Sequence, residues 1–117
     1  SVSYGELVSE ETAEPSSKVK ERINAARAVQ AERFTGQDIR TNSQMSAQLT
    51  KKYCALDGKG NALMGSAFRN LQLSARARDR ILKVARTIAD LEGSADIAAK
   101  HVAEAVQYRS LDKKYRV

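Results

Sequence analysis

Residues 74–93, SARARDRILKVARTIADLEG, constrain the fold more than any other stretch of the chain. Ser74 stands where a helix wants an N-cap hydroxyl, and Gly93 offers the left-handed stop at the other end. Between them Ala77, Ile81, Val84, Ala85, Ile88 and Leu91 recur at three- and four-residue spacing. That period puts all six on one side of a helix, whereas a strand would divide them between two faces. An amphipathic helix of this kind must bury its stripe against other elements, so the flanking sequence has to supply partners.

It does so with weaker versions of the same pattern. Ser16 to Phe34 carries Val19, Ile23, Ala26 and Phe34 at helical spacing, with Ser16 or Ser17 as N-cap and Gly36 as a stop. The polar run TGQDIRTNSQ follows. Ser46 to Leu56 then places Leu49, Tyr53 and Leu56 on one face before Asp57, Gly58 and Gly60 break the pattern. Asn61 is expected to cap a third helix, with Leu63, Ala67 and Leu71 four apart, Met64 and Phe68 widening the face, and an end near Gln72. After EGSAD, Ala99 to Tyr108 repeats the period with Val102, Ala105 and Val106, ahead of a charged tail, LDKKYRV, expected to fray. With a single proline, six glycines and no tryptophan, the composition gives β structure little support. The expectation is an all-α domain, a small bundle of four to five helices.

A length of 117 residues suits one such domain. Residues 1–14 lack periodicity and are rich in Ser, Glu and Thr, which reads as a disordered linker or chain end, so the helical domain is taken as 15–117 from Pro15 onward. Cys54 is the only cysteine and His101 the only histidine, which excludes an intramolecular disulfide and a Cys/His zinc cluster and points to a reducing, cytoplasmic compartment. Cys54, beside Tyr53 and Leu56, reads as a small packing residue, and His101 as a surface or capping residue with no role assigned. No apolar run approaches the ~18 residues of a membrane span.

The net charge of +6 is uneven: residues 1–20 carry −2 and residues 21–117 carry +8. Such a balance favours a polyanionic partner, although excess Lys and Arg also serves as a solvated surface. The chain lacks the usual means of working on a nucleotide alone. GNALMGS, residues 60–66, has the two glycines of a phosphate loop but Ser66 where the lysine must be, and it falls in an expected helix. No strand ending in Asp and Glu offers a magnesium site, and no nucleophile elbow or dinucleotide fingerprint is present. No catalytic residue, cofactor or metal is assigned to this stretch by itself.

The basic cluster Arg69, Arg76, Arg78, Arg80, Lys83 and Arg86 straddles the start of the strongest helix. Asp79 with Lys83 and Arg86 with Asp90 are i, i+4 pairs that stabilise a surface helix by a few tenths of a kcal/mol each. Arg76 differs. It sits in the first turn, where the helix dipole disfavours a cation, which gives an anion ligand about even odds against a solvated arginine on these residues alone.

The runs VKERINAARAVQAERF (19–34), LSARARDRILKVARTIADLEG (73–93) and HVAEAVQYRSLD (101–112) resemble the C-terminal domain of the magnesium-chelatase-like AAA+ family over residues 16–114, nearest its competence-protein branch. The resemblance implies a helical lid that follows an ATPase core, with Ser74, Ala75 and Arg76 matching the sensor 2 motif. In the family that arginine reaches the terminal phosphate of ATP, and in the related helix-insert clade it does so across a subunit interface. Arg76 is therefore the implied nucleotide-binding residue, with Arg80 and Ser74 weaker candidates. ATP and magnesium would be cofactors of the full-length parent, an ATPase whose partners are its own AAA+ core, neighbouring subunits of a hexameric ring, and DNA, with no membrane. The Walker A and B segments are missing from this stretch, so it is not expected to be an enzyme alone. Two alternatives stand beside this reading: a free-standing basic helical nucleic-acid-binding domain, which lacks an aromatic stacking platform in the sequence, and the lid of a magnesium chelatase ATPase subunit.

Overall fold

Residues 16–115 are described by the computed structural model, with side chains through Arg109. The expected linker at 1–14 lies outside the described residues. Five α-helices and one 3-10 turn follow one another: α1 (Ser16–Arg33), the turn Asn42–Gln44, α2 (Ala47–Tyr53), α3 (Gly58–Asn70), α4 (Ala75–Glu92) and α5 (Ala99–Tyr115). Among the described residues no strand forms, and an isolated parallel bridge joins Leu56 to Ile97 ahead of α3 and α5. The fold is all-α, as the periodicity requires.

Local chemistry sets most helix ends. Ser74 Oγ accepts the Ala77 N–H at 3.1 Å, and Gly93 closes α4 at φ 79°, a conformation that costs a residue with a Cβ. Ser46 caps α2 in the same manner through Leu49 N–H. α3 departs from expectation. Its cap is Asp57, which accepts the Gly60 N–H at 2.7 Å, while Asn61 lies inside the helix and donates its amide to the Leu56 carbonyl. The pair Gly58 and Gly60 thus opens a helix instead of ending one. Gly60 is buried there, and a Cβ on it would come within 3.2 Å of both Asp57 Oδ1 and Leu56 Cβ. α3 ends at Asn70, and α5 continues seven residues past the expected Tyr108, so that the LDKKY part of the tail is helical.

α4 is the central element. α1, α2, the 3-10 turn and α5 all pack on it, and α5 also packs on α3. The core comprises Phe34, Met45, Cys54, Met64, Ile81, Leu82, Ala85, Ala89, Ile97, Val102 and Ala105, with Phe34 and Tyr53 meeting edge to face at 5.8 Å. The face that α4 buries is turned away from the apolar stripe. Ala77, Ile81 and Ala85 are buried as expected, but Val84 and Ile88 are half-buried and Leu91 is exposed, while Leu82, Arg86, Ala89 and Asp90 are buried. Apolarity cannot see a pair of opposite charges that neutralise one another inside the bundle.

The molecule is elongated, 53 × 37 × 29 Å, with a radius of gyration of 16.3 Å against the ~13 Å of a spherical domain of about 100 residues. Every residue from 16 to 25 is exposed, so the first half of α1 stands clear of the bundle with Val19 and Ile23 uncovered. The stretch GNALMGS lies wholly within α3, where helical backbone cannot form the open turn of a phosphate loop.

Candidate functional site

At the start of α4 the cap on Ser74 satisfies Ala77 N–H, and Arg78 N–H bonds the Ser74 carbonyl. The N–H groups of Ala75 and Arg76 lie ahead of that ladder and point out of the helix end, carrying its partial positive charge. Arg76 is exposed in this first turn, and Arg80 is exposed one turn further along the same side. Neither has an ion-pair partner among the described residues. Arg78 and Asp79 take another direction. Both are half-buried and line a hollow with Thr50, Lys51 and Asn61 beside α2 and α3. Asp79 makes no ion pair with Lys83 among the described residues, so the first of the two expected i, i+4 bridges is not formed.

The second expected bridge forms in the interior. Asp90 accepts both terminal nitrogens of Arg33 at 2.8 Å, Asn42 Nδ2 at 2.8 Å and Arg86 Nε at 3.2 Å. Arg86 also donates to the Ser94 and Ala95 carbonyls at 2.8 and 3.0 Å, which ties the turn after α4 to the helix. Asn42 bonds Thr87 and Arg33, and its own N–H is taken by Gln30. The Asp90 side chain is 1% exposed, the Arg86 side chain 5%. Burial by itself would raise the Asp90 carboxyl, but the hydrogen bonds from Arg33 and Asn42 and the charge of Arg86 outweigh it and hold the group below the usual carboxylate range. This network locks α1, the 3-10 turn and α4 together, and so fixes the direction in which the α4 N-terminus points. The i, i+4 spacing of Arg86 and Asp90 predicts only a local pair worth a few tenths of a kcal/mol. An arginine, an asparagine and an aspartate spread over fifty-odd residues leave no local pattern.

His101 is buried, not on the surface. Its Nδ1 accepts the Ala98 N–H at 2.9 Å, which makes it the third helical residue of α5 reaching back to the cap position, the part Glu plays in a capping box. Nε2 faces Glu92 at 3.2 Å, and Lys100 also pairs with Glu92, whose carboxyl is lowered by those two partners. The expected capping role stands; the expected surface position does not. Cys54 packs in the core, where burial pushes its thiol up to about 11, so it is protonated and unreactive at neutral pH. Among the described residues no three His, Cys, Asp or Glu side chains gather as a metal site, and no helix is long and apolar enough to cross a membrane.

Residues 13–109 match the family described as magnesium chelatase, subunit ChlI C-terminal. The chain is 38% identical over 98 residues to competence protein ComM of Haemophilus influenzae, covering 84% of this chain and 18% of that protein. It is 37% identical over 100 residues to YifB of Escherichia coli, covering 86% of this chain and 19% of the relative. YifB of Salmonella typhimurium matches at 38% over the same length. The chain thus spans about a fifth of the relatives' length. A helical bundle built on α4, matched over most of its length to that family and to ComM and YifB, places the chain in the C-terminal domain family of the magnesium-chelatase-like AAA+ proteins.

Proposed function

We propose that the chain is the lid of an AAA+ ATPase and that Arg76 is its sensor 2 arginine. The observation that carries this reading is an exposed guanidinium without a carboxylate partner among the described residues, set in the first turn of a helix whose free N–H groups already favour an anion. A phosphate fits that end of α4, since a planar guanidinium can address two of its oxygens while backbone amides address others. In the parent ATP would supply the transferable phosphoryl group, and magnesium would supply further neutralisation of its charge. Arg76 then offsets charge that builds on the phosphoryl oxygens and couples nucleotide state to the lid through α4, which the Asp90 network holds to α1. Val19, Ile23 and Leu91, left exposed, offer the apolar contact through which a lid meets its ATPase core and neighbouring subunits of a ring. The resemblance to a competence protein and the +8 of residues 21–117 favour DNA as the motor's substrate over a porphyrin.

In the full-length parent Arg76→Ala is expected to lower ATP turnover by about 10²-fold or more, as loss of a charge-stabilising group does, and Arg78→Ala to lower it far less. The contrast has a geometric basis: Arg78 lies about 200° around the helix and lines the hollow against α2 and α3. Intact hydrolysis in Arg76→Ala with loss in Arg80→Ala would move the sensor one turn along α4. Mixed rings of Arg76→Ala subunits with Walker-defective subunits regain activity only when the arginine acts across the interface. The reading as a free-standing nucleic-acid-binding domain is separated by the upstream coding sequence, in which a Walker A lysine in frame decides for the lid.

A further inference from the structure

Beyond the α4 terminus, α4 and α5 flank an open cavity of about 390 Å³ that Arg76 does not line. Three cations line it, Arg80 and Lys83 from α4 and Arg109 from α5, and no carboxylate among the described residues does. Like charges brought together without a counter-ion repel, and none of the three has an ion-pair partner among the described residues. The Nε of Arg109 is buried with no hydrogen-bond partner among the described residues, which few native groups tolerate unless an ion or ligand completes them. The remaining lining is of a different character. Ile81 and Val84 form an apolar part of the wall, Ser43 brings a hydroxyl, and Tyr108 is 61% exposed. A bare inorganic anion has no use for an apolar wall and an open phenol ring, and the volume falls in the range of small-molecule sites.

We propose that this cavity is a second anion site and that it takes a nucleotide unit, the phosphate held by Arg80, Lys83 and Arg109 and the base stacked on Tyr108. Arginine forks and an ammonium match phosphate oxygens, and a tyrosine face accepts any base. The sequence shows no aromatic platform because Tyr108 lies far along the chain from Arg80 and Lys83; only the packing of α5 on α4 brings its ring beside them. The unit can be a free nucleotide or one residue of a strand, since both present the same phosphate and base. The assignment does not rest on the role of Arg76.

Titration of the 117-residue chain with AMP, ribose 5-phosphate and a labelled dT12 strand tests it. AMP is expected to bind at least about tenfold more tightly than ribose 5-phosphate, because base stacking adds that much or more. Arg80→Ala, Lys83→Ala and Tyr108→Ala should each weaken AMP roughly tenfold, Tyr108→Phe should keep its affinity, and Lys59→Ala, exposed on α3, should stay within about twofold. Tighter binding of dT12 than of AMP, with a salt dependence that Arg80→Ala reduces, identifies a strand as the source; equal binding identifies a free nucleotide. Equal affinity for AMP and ribose 5-phosphate overturns the proposal, as does a loss in Lys59→Ala equal to that in Arg80→Ala, which would reduce the effect to bulk charge. Should a substitution unfold the chain, amide shifts in the unsubstituted protein decide: AMP must move Arg80, Lys83, Tyr108 and Arg109, and shifts confined elsewhere refute the site.

Discussion

Asp90 shows how much of this bundle depends on one side chain. It answers the buried guanidinium of Arg86, the half-buried one of Arg33 and an amide, so its removal leaves two cations without their carboxylate. Asp90→Ala is expected to cost about 3–5 kcal/mol in urea unfolding, the range for breaking a buried pair from one side. Asp79→Ala, half-buried and without an ion pair among the described residues, should stay within about 0.5 kcal/mol. The same carboxylate sets an acid limit. Its folded value lies below the ordinary 3.8, so its contribution is present at neutral pH and is lost as pH falls from 3.8 through the folded value. Urea midpoints measured between pH 5 and pH 2 should drop over that window in the parent chain and drop less in Asp90→Asn. None of this was legible beforehand, because Arg86–Asp90 at i, i+4 looks identical on a wet face and inside a core, and Arg33 is 57 residues away from Asp90.

At the scale of a helix, α4 separates what spacing tells from what packing adds. The caps Ser74 and Gly93 were read correctly because each acts within a turn of its own position. Ile81 was read as buried and is 1% exposed, whereas Ile88, on the same apolar stripe, is half-buried because the bundle covers the side of Leu82 and Ala89 instead. Ile81→Ala is therefore expected to cost about 2–5 kcal/mol and Ile88→Ala roughly half as much or less, measured by chemical denaturation at a common pH. Equal costs would place the buried face back on the stripe. The α3 start was misread because Asp57-Gly58-Lys59-Gly60 has the composition of a turn; the Asp cap and the space denied to a Cβ at Gly60 make it a helix start. His101 caps α5 from the third helical position, which usually takes Glu or Gln, so its place in the sequence left a surface residue and a cap both open.

For the molecule as a whole, a core running through four of the five helices and a satisfied buried network predict that the 117-residue chain unfolds cooperatively and with a helical circular-dichroism spectrum by itself. It should not turn over ATP alone, since phosphoryl transfer needs a phosphate cradle and magnesium besides one arginine. Turnover by the pure chain above a contaminant control refutes that expectation. The sequence by itself determined the all-α class, three of the helices closely (α1, α2 and α4) and the position of Arg76 in a first turn, because caps and the 3.6-residue period act over a few residues. Tertiary structure alone decided which side of α4 is inside, that Arg86 and Asp90 are core residues, and that Arg80, Lys83, Tyr108 and Arg109 share one cavity. Those outcomes depend on pairings between residues far apart in the chain, where charge neutralisation and the crossing of α5 over α4 set the energy and local spacing carries no record of either.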